Sequence, residues 1–194
     1  DYETLFKWWD KFASNRPLFI GESVDRTVKF TDVNNASINQ MPAKYQMHQN
    51  AKHTNGIVLW YSKAVVDNMG NYGDMLRNTY WRYPALQPLM PFIDSHAPKK
   101  PRKLMVVNEN GERMLFWTAP KGKAWNDVAA KYVVYRFNTD ELINLNDPSK
   151  IVTVTYDNFC KLPYIDGKTK AVYVVTALDR MSNESKGKKK KIKL

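Results

Sequence analysis

The hydrophobic residues in the first half of the chain alternate between helical spacing and short continuous runs. Apolar residues three or four positions apart predict a helix over residues 2–14 with one apolar face. The apolar positions of that helix are Leu5, Trp8, Trp9 and Phe12. Continuous apolar runs at residues 18–21 and 57–61 predict buried strands.

Helices are predicted between these two strands and after the second. The first begins near Pro42, because proline is favoured in the first turn, and continues to about residue 52. The second lies near residues 72–82 and ends ahead of Pro84. Residues 22–35 are polar and predict a loop. The order helix, strand, helix, strand, helix is typical of an α/β protein with parallel strands.

The second half of the chain carries short β patterns instead. Prolines, lysines and small polar residues at 94–101 predict a linker, which divides the chain into domains at residues 1–98 and 101–194. Downstream of the linker, six or seven strands predict a small β-sandwich with Trp117, Tyr135 and Tyr173 in its core. The strands are predicted at residues 103–107, 112–118, 131–137, 151–156, 171–178 and, as a charged edge strand, 186–194.

Composition narrows the class of protein. No run of 18 apolar residues occurs, so no transmembrane helix is predicted. Residues 1–3 show no signal-peptide pattern, an absence that does not fix the compartment. The single Cys160 excludes an internal disulfide and a cysteine metal cluster, and we expect it to be a small apolar filler.

The net charge of +11 is concentrated in one half of the chain. Residues 1–98 carry ten Lys and Arg against nine Asp and Glu, whereas residues 99–194 carry twenty against ten. A terminal lysine run predicts a solvated tail or a protected edge strand, so no nucleic-acid partner is predicted. The alternative that stays open is contact of this tail with an anionic polymer or a membrane surface.

Several stretches of the first half resemble known sequences. They are residues 16–21, 38–40, 56–61 and 83–88. In these stretches the chain resembles the C-terminal end of bacterial glycosyl-hydrolase-like family ten proteins, which have a (β/α)8 barrel. The second half resembles a fibronectin type III module, which commonly follows the barrel in that family. The stretches that carry this second resemblance are residues 117–120, 132–136, 173–180 and 183–185.

The resemblance implies a partial (β/α) barrel segment followed by an all-β, immunoglobulin-like sandwich. Residues 1–98 have room for only two strands, the seventh and eighth, so we expect a C-terminal fragment that is inactive alone and leaves its strand faces partly exposed. The parent would be a periplasmic, cell-surface or secreted glycosidase acting on polysaccharide or cell-wall glycan, without a cofactor. Unpaired strand edges would favour self-association. The alternative function is a non-catalytic carbohydrate-binding or interaction module.

Candidate site residues follow from the barrel resemblance, because barrel active sites lie at the carboxyl ends of the strands. Glu22 ends the first strand and could be a glycosidase nucleophile or general acid/base, with its partner carboxylate on an earlier strand. Asp25 and Arg26 follow in the same predicted loop and could bind substrate. The alternative interpretation of Glu22 is a solvated loop carboxylate.

Aromatic residues end the second predicted strand. Trp60 could form a platform under a sugar ring, or it could pack between barrel and helices. Alternation along the strand allows at most one of Trp60 and Tyr61 to point inward. Lys63, Asp67 and Asn68 follow and would rim the same substrate site.

The remaining candidate chemistry is weak. His48 and His53 are five residues apart, which does not place them on one helical face, so no metal site is predicted. We expect the other large aromatic residues of the first half to pack in the core rather than to contact a ligand. These residues are Trp8, Trp9, Trp81 and Tyr83.

Overall fold

A computed structural model describes residues 1–13, 16–30, 40–122, 124–125, 127–163 and 170–193. The chain forms two compact units, Asp1–Tyr83 and Pro84–Leu194. The resembled residues Ile38 and Asn39 lie outside the described ranges.

The first unit alternates helices and strands, as the sequence predicts. The two strands pair in parallel, with Ile20 opposite Ile57 and Glu22 opposite Leu59. The elements, in chain order, are α1 (Tyr2–Phe12), β1 (Leu18–Ser23), α2 (Val24–Phe30), α3 (Met41–Asn50), β2 (Thr54–Trp60), α4 (Ser62–Val66), a 3₁₀ turn (Met69–Asn71), α5 (Tyr72–Met75) and a π-helical turn (Leu76–Tyr80).

The two faces of this small sheet have different surroundings. Ile57 and Leu59 pack against a buried helix-side cluster. That cluster consists of Val24, Met41, Tyr45, Ala64, Tyr72 and Leu76. On the opposite face, Phe19 is 47% exposed and Val58 is 53% exposed. The expectation that strand faces stay partly exposed is confirmed in this unit.

Two local predictions for the first unit are wrong. Residues 24–30 form α2 rather than part of a polar loop, because Val24 buries itself in the helix-side cluster and starts a helical turn. In α1 the buried residue is Phe6, and the predicted apolar face points to solvent. Residues expected in the core but half exposed are Trp8, Trp9, Trp81 and Tyr83.

The second unit is an all-β sandwich, as predicted. Its strands form two antiparallel sheets, one in the order β3-β4-β7 and the other in the order β6-β5-β8-β9. Strand β7 was not predicted, because it is only three residues long. The strands are β3 (Arg102–Glu109), β4 (Glu112–Thr118), β5 (Lys131–Phe137), β6 (Ile151–Thr155), β7 (Phe159–Lys161), β8 (Lys170–Leu178) and β9 (Lys188–Lys193).

Residues from both sheets of the sandwich form one core between them. Leu115 and Trp117 of β4 meet Tyr132 and Tyr173 of the larger sheet there. Cys160 of β7 is buried in the same core, which confirms its predicted role as an apolar filler. The predicted core positions of Trp117 and Tyr173 are therefore confirmed.

The outer face of the larger sheet is also covered. Tyr135 is fully buried, as predicted, but it packs there with Phe137 and Leu178 rather than between the sheets. Alternation along β5 explains the difference, since neighbouring residues point to opposite faces. Leu86 and Leu145 pack against this outer cluster. A strand covered on both faces needs few polar positions, which matches the composition of β5.

Residues 84–98 pack on the second unit. The Asn183 side-chain amide donates a hydrogen bond to the carbonyl oxygen of Asp94 at 3.1 Å, and Lys131 Nζ donates to Gln87 Oε1 at 3.4 Å. Along the chain, the boundary between the two compact units thus falls between residues 83 and 84, upstream of the predicted linker. The predicted domain limits, 1–98 and 101–194, stay a prediction.

Strand β9 lies at the edge of the larger sheet and pairs only with β8 among the described strands. It carries five lysines in six residues, and its one buried side chain is Ile192. The prediction of a charged edge strand is confirmed.

Candidate functional site

Glu22 lies at the carboxyl end of β1, where its side chain joins three elements. Its Oε2 accepts a hydrogen bond from Lys44 Nζ of α3 at 2.9 Å, and its Oε1 accepts one from the Tyr2 hydroxyl of α1. His48 Nε2 of α3 lies 3.8 Å from Glu22 Oε1 and 3.3 Å from the Tyr2 hydroxyl oxygen. Glu22 is only 3% exposed, so its carboxylate is largely shielded from solvent.

The electrostatics of this cluster keep Glu22 ionised. Burial alone would raise the pKa of Glu22, but the nearby His48 and the hydrogen bonds from Tyr2 and Lys44 outweigh it and hold that pKa below the ordinary 4.5. Burial, together with the nearby Glu22 charge, raises the pKa of the Tyr72 phenol to about 12. The cluster therefore presents a carboxylate surrounded by neutral phenols and one ammonium group. An ionised carboxylate suits a nucleophile or base, whereas a general acid needs a raised pKa.

The Glu22 side chain points to the helix-covered face of the sheet. Glu22 is the register partner of Leu59, and Leu59 packs against the helix-side cluster. Both carboxylate oxygens accept hydrogen bonds from α1 and α3. In this geometry the carboxylate links β1 to two helices, and its predicted catalytic role stays a prediction.

Trp60 ends β2 and points to the other face. It pairs in register with Ser23 and is 72% exposed. The peptide bond from Trp60 to Tyr61 is cis, and Tyr61 is 40% exposed. An exposed indole at a strand end has its flat face free to stack on an apolar ligand surface. The sequence left two interpretations of Trp60 open. The exposure of its side chain does not agree with packing between strand and helix in this unit.

Among the described residues, no hydrogen bond joins Trp60 to the other predicted substrate-binding residues. Asp25 and Arg26 lie in the first turn of α2. Lys63 forms an exposed ion pair with Asp67 one turn later in the chain. The Asn68 side chain forms two hydrogen bonds with Asp74. Its Nδ2 donates to Asp74 Oδ2 at 2.7 Å, and its Oδ1 accepts from the Asp74 amide at 2.9 Å.

Sequence reasoning missed the residues that surround Glu22. Tyr2, Lys44 and His48 are 20 or more positions away along the chain, and no short motif connects them. It also missed Asp10, whose Oδ1 accepts from the backbone amides of His53 and Thr54 at 2.8 Å each. The one available signal for Asp10 was an acidic residue on the polar face of the first helix, which by itself indicates no partner.

Two findings bear on other kinds of site. The described part of the chain contains no group of three or more His, Cys, Asp or Glu side chains arranged to hold a metal ion. Within the same residues, no helix has the length and apolar character needed to cross a lipid bilayer.

The chain is similar along almost its whole length to a glycosyl hydrolase. It is 26% identical over 198 residues to a protein named Glycosyl hydrolase YngK of Bacillus subtilis (strain 168). The similarity covers 99% of this chain and 38% of that relative, so the chain spans well under half of the relative's length. No protein-family model matches this chain.

Solved structures with some likeness include both enzymes and fibronectin-type domains. The glycoside hydrolase domain Spr0440, Endo-D, from Streptococcus pneumoniae R6 is 17% identical, with 52% of this chain and 16% of that one covered and a TM-score of 0.38. The structure titled FN3tt mut is 17% identical, with 50% and 94% covered and a TM-score of 0.38. Because both TM-scores are below 0.5, the sandwich assignment depends on the strand order and core described above.

Proposed function

We propose that this chain contributes to a glycoside hydrolase acting on polysaccharide or cell-wall glycan, in the cell envelope or outside the cell. The observation that carries the proposal is the similarity along 99% of the chain to a glycosyl hydrolase. In this proposal, the first unit corresponds to the last two β/α units of a family-ten-like barrel, and the second is a fibronectin type III-like module.

Trp60 is the proposed sugar platform of the first unit. It stands at the carboxyl end of β2, where a barrel enzyme binds its substrate, and its indole is 72% exposed. The same sheet face also carries Phe19 and Val58, both about half exposed. A face of this kind offers the apolar contact that the C–H groups of a sugar ring need.

The Glu22 carboxylate is the proposed catalytic candidate only together with a second carboxylate. Glycoside hydrolysis requires two carboxyl groups flanking the scissile bond, about 5–9.5 Å apart. Among the described residues, no Asp or Glu is hydrogen-bonded into the cluster around Glu22. We therefore expect this chain alone to be inactive toward glycans.

The test uses the 194-residue chain and two matched tryptophan variants. Trp60→Ala should weaken binding of the chain to a panel of soluble neutral polysaccharides by roughly tenfold, whereas Trp81→Ala, which removes a half-exposed indole of the same unit, should not. Affinity gel electrophoresis measures both. Equal affinities for the two variants would reject Trp60 as the platform.

A turnover assay tests the other part of the proposal. Released reducing ends should stay at background for the unmodified chain. Turnover by the unmodified chain would overturn the expectation of inactivity. Its loss in a Glu22→Gln variant that circular dichroism shows to be folded would assign the reaction to Glu22.

A second function, a non-catalytic glycan-binding module, is favoured by one observation. Glu22 is buried and fully hydrogen-bonded, while Trp60 is open to solvent. Binding without turnover in the assays above would support this module.

A further inference from the structure

Two aromatic side chains stand out at one end of the sandwich. Trp125 is 60% exposed and Tyr156 is 80% exposed, and both line one groove of about 570 Å³. Large aromatic residues are usually well buried, so a pair of exposed rings facing one groove needs a reason other than core packing. A groove of this size lies within the range that holds a small ligand.

The strand order explains why these two residues line one groove. Lys131 at the start of β5 pairs with Leu178 at the end of β8, and the next residue of β5 pairs with Thr155 at the end of β6. The connections that follow β4, β6 and β8 therefore emerge at the same end of the sandwich. Trp125 follows β4, Tyr156 follows β6 and Arg180 follows β8. Loops grouped at one end of an immunoglobulin-like sandwich form the binding site of antibody variable domains, because a rigid scaffold holds them.

Backbone contacts join described residues on either side of Trp125. The Asp127 amide donates to the Ala124 carbonyl oxygen at 3.1 Å. The backbone of Asp127 also approaches Gly122 so closely that a Cβ on Gly122 would lie 2.5 Å from its carbonyl oxygen. Only glycine fits this approach.

Two basic side chains stand among the polar groups of the groove. Lys131 and Arg180 line it, and neither forms an ion pair among the described residues. The lining contains one carboxylate, Asp179, whose Oδ1 accepts from the amides of Met181 at 2.7 Å and Asn183 at 2.9 Å. The groove therefore combines two exposed aromatic rings with two basic side chains and one carboxylate, an excess of one positive charge.

We infer that this groove binds an acidic oligosaccharide, a sugar chain that carries carboxylate groups. Sugar rings offer C–H faces to Trp125 and Tyr156, while their carboxylates and hydroxyls match Lys131, Arg180 and Gln87. The inference rests on the proposed function, because a glycan-binding groove would serve a protein that degrades glycans. The groove lies wholly within the second unit and does not involve Trp60 or Glu22.

The experiment measures binding of hexagalacturonate to the full chain by titration calorimetry, with cellohexaose as the uncharged comparison. Trp125→Ala and Tyr156→Ala should each weaken hexagalacturonate binding by roughly tenfold, and Trp125→Phe should retain most of it. Lys131→Gln combined with Arg180→Gln should weaken binding and reduce its salt dependence. The matched control, Lys99→Gln combined with Lys121→Gln, removes two exposed lysines of the same unit. It should change neither the affinity for hexagalacturonate nor the salt dependence of binding.

The outcomes separate this inference from the proposed function. Absence of hexagalacturonate binding, tighter binding of cellohexaose, or affinities unchanged by the Trp125 and Tyr156 variants would each overturn the inference. Circular dichroism and the thermal midpoint check that each variant is folded, which is expected because both rings are exposed. Trp60→Ala should leave hexagalacturonate binding at this groove intact. If Trp60 and Glu22 prove irrelevant to glycans while the Trp125 effect persists, the proposed function of the first unit fails and the inference stands.

Discussion

Glu22 and Trp60 lie at the same end of the two-stranded sheet but point to opposite faces. The residue after Glu22, Ser23, is the register partner of Trp60, while Glu22 itself is paired with Leu59 on the helix-covered face. One side chain is 3% exposed and the other 72% exposed. A ligand stacked on Trp60 would therefore have the sheet between itself and the Glu22 carboxylate. In this structure Glu22 joins β1 to α1 and α3, whereas ligand contact at Trp60 stays a prediction.

The packing role predicts a large stability loss for Glu22→Gln. The substitution leaves Lys44, which is 16% exposed, without its carboxylate partner, and removing one partner of a buried ion pair costs about 3–5 kcal/mol. We expect the free energy of unfolding at pH 7 to fall by about 3 kcal/mol, measured by urea denaturation of the first unit's transition. Glu3→Gln is the control, since it removes only an exposed helical pair with Lys7, and the stability should hardly change.

The pH dependence follows from the lowered pKa of Glu22. Because its folded pKa lies below 4.5, the unfolded chain binds the proton more readily. The stabilisation is complete above about pH 5 and is lost as pH falls through the folded pKa. Glu22→Gln should thus flatten the acid limb of the stability curve. An unchanged acid limb would show that Glu22 titrates normally and would contradict the geometry.

The alternation of helix and strand in the first unit was predictable, but the network around Glu22 was not. Apolar runs place β1 and β2 correctly, but the prediction that these strands are buried is wrong in this unit, because one face of the sheet is half exposed at Phe19 and Val58. By contrast, Tyr2 reaches Glu22 from α1, and the pairing depends on how α1 packs against β1. The exposed indoles of Trp8 and Trp9 show the same limit, since helical spacing indicates an apolar face without showing whether another element covers it.

In the second unit the pattern of hydrophobic and polar residues predicts the β-sandwich. It does not predict what covers the outer sheet face or where a surface groove forms. Alternation along β5 predicts which residues share a face, and Tyr132 and Val134 do share the core between the sheets. It does not show that Leu86 and Leu145 pack on the outer face, where Tyr135 belongs to a second buried cluster. The groove at Trp125 was missed because its rings come from separate connections that only the strand order brings together.

Asn183 holds residues 84–98 to the sandwich. Its side-chain amide donates both to the Asp94 carbonyl oxygen at 3.1 Å and to Asp179 Oδ2 at 2.9 Å, and Asn183 is buried. Asn183→Ala removes both bonds, so we expect faster cleavage within residues 84–98 by a non-specific protease under native conditions. Asn146→Ala is the control, because only its backbone amide takes part in a described hydrogen bond. Equal cleavage rates would mean that this segment is held elsewhere.

Cys160 should react slowly in the folded protein. Burial raises the pKa of its thiol to about 11, so little thiolate forms near neutral pH. At pH 8 we expect iodoacetamide to modify the native chain at least about tenfold more slowly than the urea-unfolded chain, as followed by mass spectrometry. Similar rates in both states would contradict the buried position of β7 in the sandwich core.

The lysines of β9 should keep the sandwich monomeric. The far edge of this strand has no partner among the described strands, and an unpaired edge is a template for pairing with another chain. Lys189 and Lys191 are exposed there, and charged side chains oppose pairing because they would be brought against the lysines of a second copy. Lys189→Val combined with Lys191→Val should increase self-association with concentration, measured by light scattering after size-exclusion chromatography. Lys99→Val combined with Lys100→Val removes the same charge away from the strand edge and should leave the mass unchanged. If both double variants associate equally, net charge rather than edge protection controls solubility.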